Sequence, residues 1–249
     1  MKIVIALDSF KESLTAAAAC DAVARGFRAV LPQAAYHCVP MADGGEGTTA
    51  ALVAARGGEW REVLVQGPLA RPVTARYGRL PDGSAVMEMA EAAGLHLLAP
   101  AERNPRLTST FGVVEMLRHA LADGARHIIL GIGGSATNDG GAGMLQALGV
   151  RLLDEKGSEL PRGGAALSRL ARADFSALLP DLRDCTLQVA CDVNNPLCGE
   201  RGASAIFGPQ KGADAATVAE LDAALAHYAA VLTAAGLPDK REMPGTGAA

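Results

Sequence analysis

The first forty residues, MKIVIALDSFKESLTAAAACDAVARGFRAVLPQAAYHCVP (1–40), decide the fold class. Residues 2–7 form a nearly continuous apolar run, which is typical of a strand buried in a parallel sheet. A helix is predicted from about Leu14 to Leu31 because apolar residues recur along one face at helical spacing, and Pro32 ends it. Residues 35–40 predict a second strand. Strand, helix and strand in this order indicate a βαβ unit and an α/β protein.

The pattern changes after Gly67. Residues 72–79 and 84–89 are predicted strands, and the turn Pro81-Asp82-Gly83 between them requires antiparallel pairing. We therefore predict a domain boundary near residues 66–70. The remaining patterns predict helices at 46–55, 110–122, about 140–148 and 215–235, and strands at 60–65, 127–130, 150–153 and 187–191.

Composition excludes several classes of protein. Of the 249 residues, 49% are hydrophobic, so the chain has enough apolar side chain to bury a sizeable core. The net charge is −4, Lys and Arg form no cluster, and aromatic residues make up only 4%, so neither nucleic acid nor a membrane is a predicted partner. The five cysteines include no CxxC pair, and no apolar run reaches about 18 residues. We expect a cytoplasmic protein with reduced thiols.

The strongest local signal is GIGGSATNDGGAG, residues 131–143. It follows the apolar strand HIIL and precedes a predicted helix, the setting in which backbone N–H groups and a helix dipole bind phosphate. The Walker A pattern is excluded because the loop contains no lysine. The loop is therefore predicted to bind phosphate by another arrangement.

A dinucleotide-binding interpretation of the same loop stays open. Gly131-x-Gly133-x-x-Ala136 matches the fingerprint after a strand, and Asp154 ends the next predicted strand about 20 residues further on. Against it, a polar run interrupts the place where a Rossmann helix should pack. Those polar side chains suit contacts with phosphate and metal instead.

Charged residues follow two other predicted strands. The stretch DSFKES (8–13) carries Asp8 and Lys11, and DGGEGT (43–48) carries Asp43 and Glu46. Ligands in open α/β sheets bind at the carboxyl ends of strands, so these side chains are well placed. Both stretches also match helix-capping patterns, and that alternative remains beside the functional one.

Two further loops carry candidate ligands. CDVNNP (191–196) places Asp192 and Asn194 after a predicted strand, and carboxylate and amide oxygens are ligands that Mg²⁺ takes together with phosphate oxygens. GPQKG (208–212) is a turn that carries Lys211. An ordinary Asx-turn and a solvated lysine are the alternatives for these two loops.

Taken in order, six stretches closely resemble the bacterial glycerate kinase family over the whole chain. They are DSFKES (8–13), ADGGEG (42–47), GIGGSATNDGGAGM (131–144), ACDVNNPL (190–197), FGPQKGA (207–213) and PGTGAA (244–249). The resemblance implies the ATP-dependent phosphorylation of D-glycerate, with 2-phosphoglycerate favoured over 3-phosphoglycerate as the product. An NAD(P)-dependent hydroxy-acid dehydrogenase and a catalytically inactive binding fragment are the alternatives.

The resemblance also implies a domain organisation. Residues 1–66 look like the first part of a flavodoxin-like (Rossmann-like) three-layer α/β domain, and 67–240 like a second, mixed α/β domain inserted into it. Residues 241–249 would cross back towards the first domain. Family members continue beyond PGTGAA, so we expect a C-terminally truncated chain with an incomplete first domain and little or no kinase activity.

The resemblance suggests roles for the loop residues. Asp192, Asp8, Lys11 and Asp43 are the expected catalytic residues, and Asp192 and Asp139 the expected ligands of Mg²⁺. D-glycerate is the expected small-molecule partner, and a homo-oligomer is left open. The residues expected to bind ATP are Gly133, Gly134, Ser135, Thr137, Asn138, Gly140 and Lys211.

Overall fold

The computed structural model of the protein describes residues 1–8, 10, 13–42 and 45–248. The strands within these ranges are β1 (Lys2–Ile5), β2 (Ala35–Cys38), β3 (Glu59–Gln66), β4 (Pro72–Arg79), β5 (Ala85–Glu88), β6 (His127–Gly131), β7 (Arg151–Leu153), β8 (Arg172–Asp174) and β9 (Thr186–Ala190). The α-helices are α1 (Ala16–Val30), α2 (Thr48–Arg56), α3 (Ala90–Ala93), α4 (Phe111–Ala122), α5 (Ala142–Ala147), α6 (Ala203–Phe207) and α7 (Ala215–Ala234).

Short 3-10 helices complete the secondary structure. They cover Leu95–Leu97, Pro100–Glu102, Gly164–Arg169, Pro180–Asp184, Pro209–Lys211 and Thr246–Ala248. Several lie in the connections that surround the carboxyl ends of the parallel strands.

A mixed five-stranded sheet forms the centre of the fold. Its strand order is β3-β4-β5-β6-β9, with antiparallel pairing from β3 to β5 and parallel pairing from β5 to β9. The α/β class and the predicted hairpin of β4 and β5 are confirmed. The flavodoxin-like description and the inserted domain stay predictions.

The predicted boundary near residues 66–70 falls in the turn between β3 and β4. These strands pair along their whole length, from Glu59 opposite Arg79 to Gln66 opposite Pro72, so the sheet continues across that point. The division into 1–66, 67–240 and 241–249 stays a prediction.

Helices cover both faces of the central sheet. Side chains alternate along β5, so that Ala85 and Met87 join the large core beneath α4 on one face. Val86 packs with Val53 of α2 on the other face. Glu88 follows Val86 by two residues and therefore faces α2.

A second core lies beside the sheet. β7 and β8 form a separate antiparallel pair, and this pair packs with α5 and α7 around leucines such as Leu152 and Leu225. By length and apolar composition alone, α7 is the one helix in the described residues that is able to span a membrane. This is weak evidence for a membrane span, because the core helix of a globular protein passes the same test.

The first forty residues form the predicted βαβ unit. β1 and β2 pair in parallel, and Ile5, Cys20 and Ala24 form their small core with α1. The helix begins after Thr15, whose side chain accepts a hydrogen bond from the Ala18 N–H. The cap of α1 is therefore Thr15, and Ser9 and Glu12, on which the capping interpretation of residues 8–13 rests, lie outside the described residues. All five cysteines are free thiols; Cys20 is buried, whereas Cys38 and Cys191 are exposed.

The contact between α4 and β3 depends on the absence of a side chain at Gly112. A Cβ atom at that position would lie 1.8 Å from the Gln66 carbonyl oxygen. We expect Gly112→Ala to lower the free energy of unfolding by about 1–3 kcal/mol, because the helix must move away from the strand. Urea denaturation measures the change.

Gly26→Ala is the matched control, since Gly26 lies within α1 and a Cβ there would meet nothing within 4 Å. We expect this variant to be as stable as the wild type or more stable, by up to about 1 kcal/mol. If Gly112→Ala were equally well tolerated, the proposed contact would not constrain the fold.

Candidate functional site

The carboxyl ends of three parallel strands meet at one edge of the central sheet. Glu88 of β5 lies opposite Gly131 of β6, and Gly131 lies opposite Ala190 of β9. The glycine loop leaves the sheet between the two outer strands, and the Ile132 N–H donates to the Ala190 carbonyl oxygen at 3.3 Å. Asp192 follows β9 by two residues. The edge therefore places Glu88 and Asp192 on either side of the loop.

Glu88 connects this edge to the beginning of α2. Its carboxylate accepts hydrogen bonds from the N–H groups of Gly47 at 3.2 Å and Thr49 at 2.8 Å. Burial raises the pKa of the Glu88 carboxyl, and these hydrogen bonds act in the opposite direction. The N-cap position of α2 is Gly47, without a side-chain cap of its own. A glutamate from β5 thus binds the N–H groups at the start of α2. Asp43, on which the predicted capping pattern of residues 43–46 rests, lies outside the described residues.

Sequence analysis missed Glu88. The available signal was an acidic residue directly after the apolar residues 85–87, at the carboxyl end of a predicted strand. The sequence predicted that strand only as one arm of an antiparallel hairpin, and its parallel pairing with β6 was not predicted.

The first half of the glycine loop presents unused backbone donors. Within the described part of the chain, the N–H groups of Gly133, Gly134 and Ser135 have no hydrogen-bond acceptor. The loop is nevertheless held in place, because the Leu95 N–H donates to the Gly134 carbonyl oxygen at 2.9 Å. Gly134 has a φ of 73°. Successive N–H groups around a left-handed residue form the kind of concavity that binds anions.

The second half of the loop is tied down by Asp139, which is fully buried. One carboxylate oxygen accepts from the N–H of Thr110 at 2.9 Å, from its hydroxyl at 3.0 Å, and from the N–H of Gly143 at 3.2 Å. The other accepts from the Gly141 N–H at 3.3 Å. Burial raises the pKa of the Asp139 carboxyl, and the hydrogen bonds from Thr110 lower it.

The sequence predicts that a phosphate binds at the N-terminus of the following helix, but α5 does not provide such a site. This helix has only six residues, and the N–H groups at its start are already used inside the protein. Those of Gly141 and Gly143 donate to Asp139, and that of Met144 donates to the Thr110 hydroxyl at 3.1 Å. The unused donors lie earlier in the loop.

Lys211 is buried beneath the loop, with 2% of its surface exposed. Its ammonium group donates to the Ser135 hydroxyl at 2.9 Å and to the Thr137 carbonyl oxygen. Burial lowers the pKa of Lys211 to about 8, while the nearby charge of Asp139 raises it. The alternative of a solvated loop lysine is wrong, since the side chain lies inside the protein.

Two other predicted loop residues also point inward. The Asn138 amide donates to the Ser204 hydroxyl at 2.8 Å. The Asn138 Oδ1 atom and the Thr137 hydroxyl are buried without a hydrogen-bond partner among the described residues. Their side chains therefore support the loop from inside.

The remaining predicted site residues fall in three places. Asp192 is exposed at the carboxyl edge of the central sheet. It follows β9, which pairs with β6, the strand that leads into the glycine loop. Asp8 follows β1, which belongs to the two-stranded sheet of β1 and β2. Lys11 and Asp43 lie outside the described residues. The functional roles predicted for these four residues stay predictions.

The dinucleotide-binding alternative is not supported by this geometry. Asp154 follows β7, and β7 pairs with β8 in a separate sheet rather than with β6. The Asp154 carboxylate accepts from the N–H groups of Lys156 and Ser158, each at 2.9 Å, and so closes a turn. It is not on the strand next to the glycine loop, where the acidic residue of that fingerprint belongs.

No group of three or more His, Cys, Asp or Glu side chains able to hold a metal ion forms among the residues that the structure describes. Both oxygens of Asp139 accept hydrogen bonds from the protein, whereas Asp192 is exposed. A single carboxylate suffices for Mg²⁺ when phosphate oxygens and water complete the shell.

Comparison with known proteins agrees with the resemblance seen in the sequence. The sequence model of the Glycerate kinase family matches residues 3–249. Similar curated proteins include a "Glycerate kinase" from Halalkalibacterium halodurans, 54% identical over 248 residues, and a "Glycerate 2-kinase" from Escherichia coli, 52% identical over 250 residues. These alignments cover 99% and 100% of this chain, and 65% and 66% of the two relatives.

A solved structure is similar as well. A crystal structure from Salmonella typhimurium LT2, described under the name glycerate kinase 2, superposes with a TM-score of 0.86 at 50% sequence identity. The match covers 99% of this chain and 66% of that chain. The chain thus spans just under two thirds of the length of these relatives. The comparisons support neither a dehydrogenase nor an inactive binding fragment.

The shape of the glycine loop depends on the carboxylate of Asp139. In Asp139→Asn an amide donor replaces one of the accepting oxygens, so at least one buried N–H group or hydroxyl loses its acceptor. We expect the free energy of unfolding to fall by about 1–3 kcal/mol, measured by urea denaturation. Asp21→Asn is the control, because Asp21 is exposed on α1. Equal stability of both variants would contradict the structural role of Asp139.

Proposed function

The chain belongs to the glycerate kinase family, and on this premise we propose that the protein transfers a phosphoryl group from ATP to D-glycerate. The proposed product is 2-phosphoglycerate. This choice is supported by the name of the Escherichia coli relative, "Glycerate 2-kinase", at 52% identity. The chain spans 65% and 66% of the two relatives, which are therefore about half as long again, and the proposal concerns the activity of a protein of their full length.

One observation carries the proposal: in the part of the chain that the structure describes, three consecutive N–H groups, Gly133 to Ser135, have no acceptor, and they lie at the carboxyl edge of the parallel strands. Phosphoryl transfer needs positioning and stabilisation of negative charge more than covalent chemistry. Backbone donors that are fixed before the ligand arrives supply both. Lys211 adds a positive charge directly beneath them, through its hydrogen bond to the Ser135 hydroxyl.

The two halves of the loop have different tasks in this proposal. The first half contacts nucleotide phosphates through its backbone. The second half is a buried support for the first. The Asn138 amide and the Asp139 carboxylate bond to the protein, and the Thr137 carbonyl oxygen accepts from Lys211. A metal role for Asp139 would require its present donors to be displaced.

Asp192 is the residue that fits a magnesium ion. Its carboxylate is exposed beside the loop. Mg²⁺ held there with the nucleotide would neutralise charge on the phosphate oxygens. The side chain itself orients the phosphate chain relative to the row of N–H groups.

We assign the acceptor to the remaining predicted residues. Asp8 or Asp43 accepts the proton of the glycerate hydroxyl, and Lys11 binds the glycerate carboxylate. The hydrogen bonds from Gly47 and Thr49 to Glu88 hold the stretch that follows Asp43 at the same sheet edge as the glycine loop. Donor and acceptor loops are thus anchored to adjacent strands. A cytoplasmic location and a small-molecule partner belong to the same proposal.

The experiment that tests the function uses purified protein of the full length of the relatives, with D-glycerate, ATP and Mg²⁺. We expect release of ADP that depends on D-glycerate, and a phosphorus NMR signal for 2-phosphoglycerate. ATP hydrolysis that is independent of glycerate would contradict the assigned acceptor. A 3-phosphoglycerate signal would contradict the assigned product alone.

Substitution of Gly134 tests the phosphate-binding half of the loop. Valine does not readily adopt its φ of 73°, and the row of N–H groups would be distorted. We expect Gly134→Val to raise the KM for ATP at least tenfold, with the KM for glycerate changed less than threefold. Gly157→Val is the matched control, because Gly157 has a φ of 76° and open space around it in a distant turn. A larger effect on glycerate would assign the loop to the acceptor.

Substitution of Asp192 tests the proposed magnesium ligand. We expect Asp192→Asn to lower kcat at least about 100-fold, because a lost carboxylate removes several kcal/mol of charge stabilisation. Thermal unfolding should be unchanged, since the side chain is exposed. Asp184→Asn, also exposed, is the control and should keep full activity. An Asp192→Asn enzyme within a few-fold of wild type would remove this residue from the site.

A further inference from the structure

A cavity of about 520 Å³ opens beside the glycine loop. One wall is the sheet, with Leu130 and Ile132 at the end of β6 and Leu187 and Val189 on β9. The opposite wall is α7, and the segment 237–248 closes one side. Ile132 directly precedes the row of N–H groups that begins at Gly133. The cavity and the proposed phosphate site are therefore neighbours.

The chemistry of the walls restricts the ligand. The side chains that line the cavity are mostly aliphatic, and they include Met144 of α5 and Leu232 of α7. The volume lies within the range of about 300–1,000 Å³ that is typical of small-molecule sites. Glycerate, with one carboxylate and two hydroxyls on three carbons, would leave most of this apolar surface unused. A flat, largely apolar ring system would cover it.

One aromatic side chain belongs to the same wall. Tyr228 is 3% exposed and lines the cavity, and its hydroxyl is buried without a hydrogen-bond partner among the described residues. The cavity therefore meets the ring of Tyr228 and not its hydroxyl, and an aromatic ring suits contact with a flat ring system.

Positive charge lies in the segment that closes the cavity. Lys240 and Arg241 line it, and Arg241 is held by Asp239 at 2.6 Å. An apolar interior bordered by cations and by free backbone N–H groups matches a nucleotide, whose base is flat and whose phosphates are anionic.

We infer that this cavity binds the purine base of the nucleoside triphosphate. The inference rests on the proposed function, since it assigns the base of the phosphoryl donor. In this arrangement the base lies between β9 and α7. The phosphates extend past Ile132 to the N–H groups of Gly133–Ser135.

Two neighbouring positions on α7 provide a matched test. Ala229 lines the cavity, whereas Ala230 is exposed and does not line it. Ala229→Trp should fill the space of the base, and Ala230→Trp adds the same ring outside it. Adenosine and inorganic tripolyphosphate serve as probes of the base and phosphate parts. Their binding is measured by isothermal titration calorimetry, together with the KM values for ATP and glycerate.

We expect Ala229→Trp to weaken adenosine and ATP binding at least tenfold and to leave tripolyphosphate within twofold of wild type. Ala230→Trp should change none of these values. If Ala229→Trp does not fold, Leu187→Trp is the second filling variant, because Leu187 is 41% exposed and tolerates a larger ring.

The failure of this inference is distinct from failure of the proposed function. An active kinase in which the folded filling variants leave adenosine binding and the KM for ATP unchanged would overturn the base site alone. A raised KM for glycerate with an unchanged KM for ATP would also overturn it and assign the cavity to the acceptor. The protein could bind adenosine and lack kinase activity. If Ala229→Trp then abolished adenosine binding, the result would support the base site and overturn the proposed function.

Discussion

The buried carboxylate of Asp139 is the interaction on which the rest of the site depends. Four donors from three residues converge on it, and they join the end of the glycine loop to the start of α4 and the start of α5. A carboxylate without these donors would not remain charged in such a dry position. Because Asp139 is fully satisfied, it holds the loop before any ligand binds.

This arrangement divides the loop by function. Its second half has no donors to offer at the start of α5, because the protein already uses them. Its first half keeps three N–H groups without an acceptor among the described residues, held over the buried ammonium of Lys211. In the proposed function a phosphate that enters there meets donors already oriented, so little reorganisation opposes binding. The apolar cavity contacts the loop at both ends, through Ile132 and through Gly140 and Gly141.

Glu88 anchors the start of α2 as Asp139 anchors the end of the glycine loop. The alternation of side chains along β5 puts Val86 and Glu88 on the face that α2 covers. Packing of Val86 against Val53 and the hydrogen bonds of Glu88 to Gly47 and Thr49 therefore act on the same helix. One short strand positions the stretch 45–49 beside the glycine loop.

The sequence by itself determined the α/β class, the βαβ unit of residues 1–40, the hairpin of β4 and β5, and the glycine loop between β6 and α5, because these follow from local spacing, turn residues and glycines. Tertiary structure alone decided that Glu88 caps α2, that Lys211 is buried, and that Asp154 stands apart from β6. The contact between Thr49 and Glu88 joins residues that are 39 positions apart, and the contact between Ser135 and Lys211 joins residues that are 76 positions apart. No local pattern encodes which strands become neighbours, and burial of a charge depends on every element packed around it.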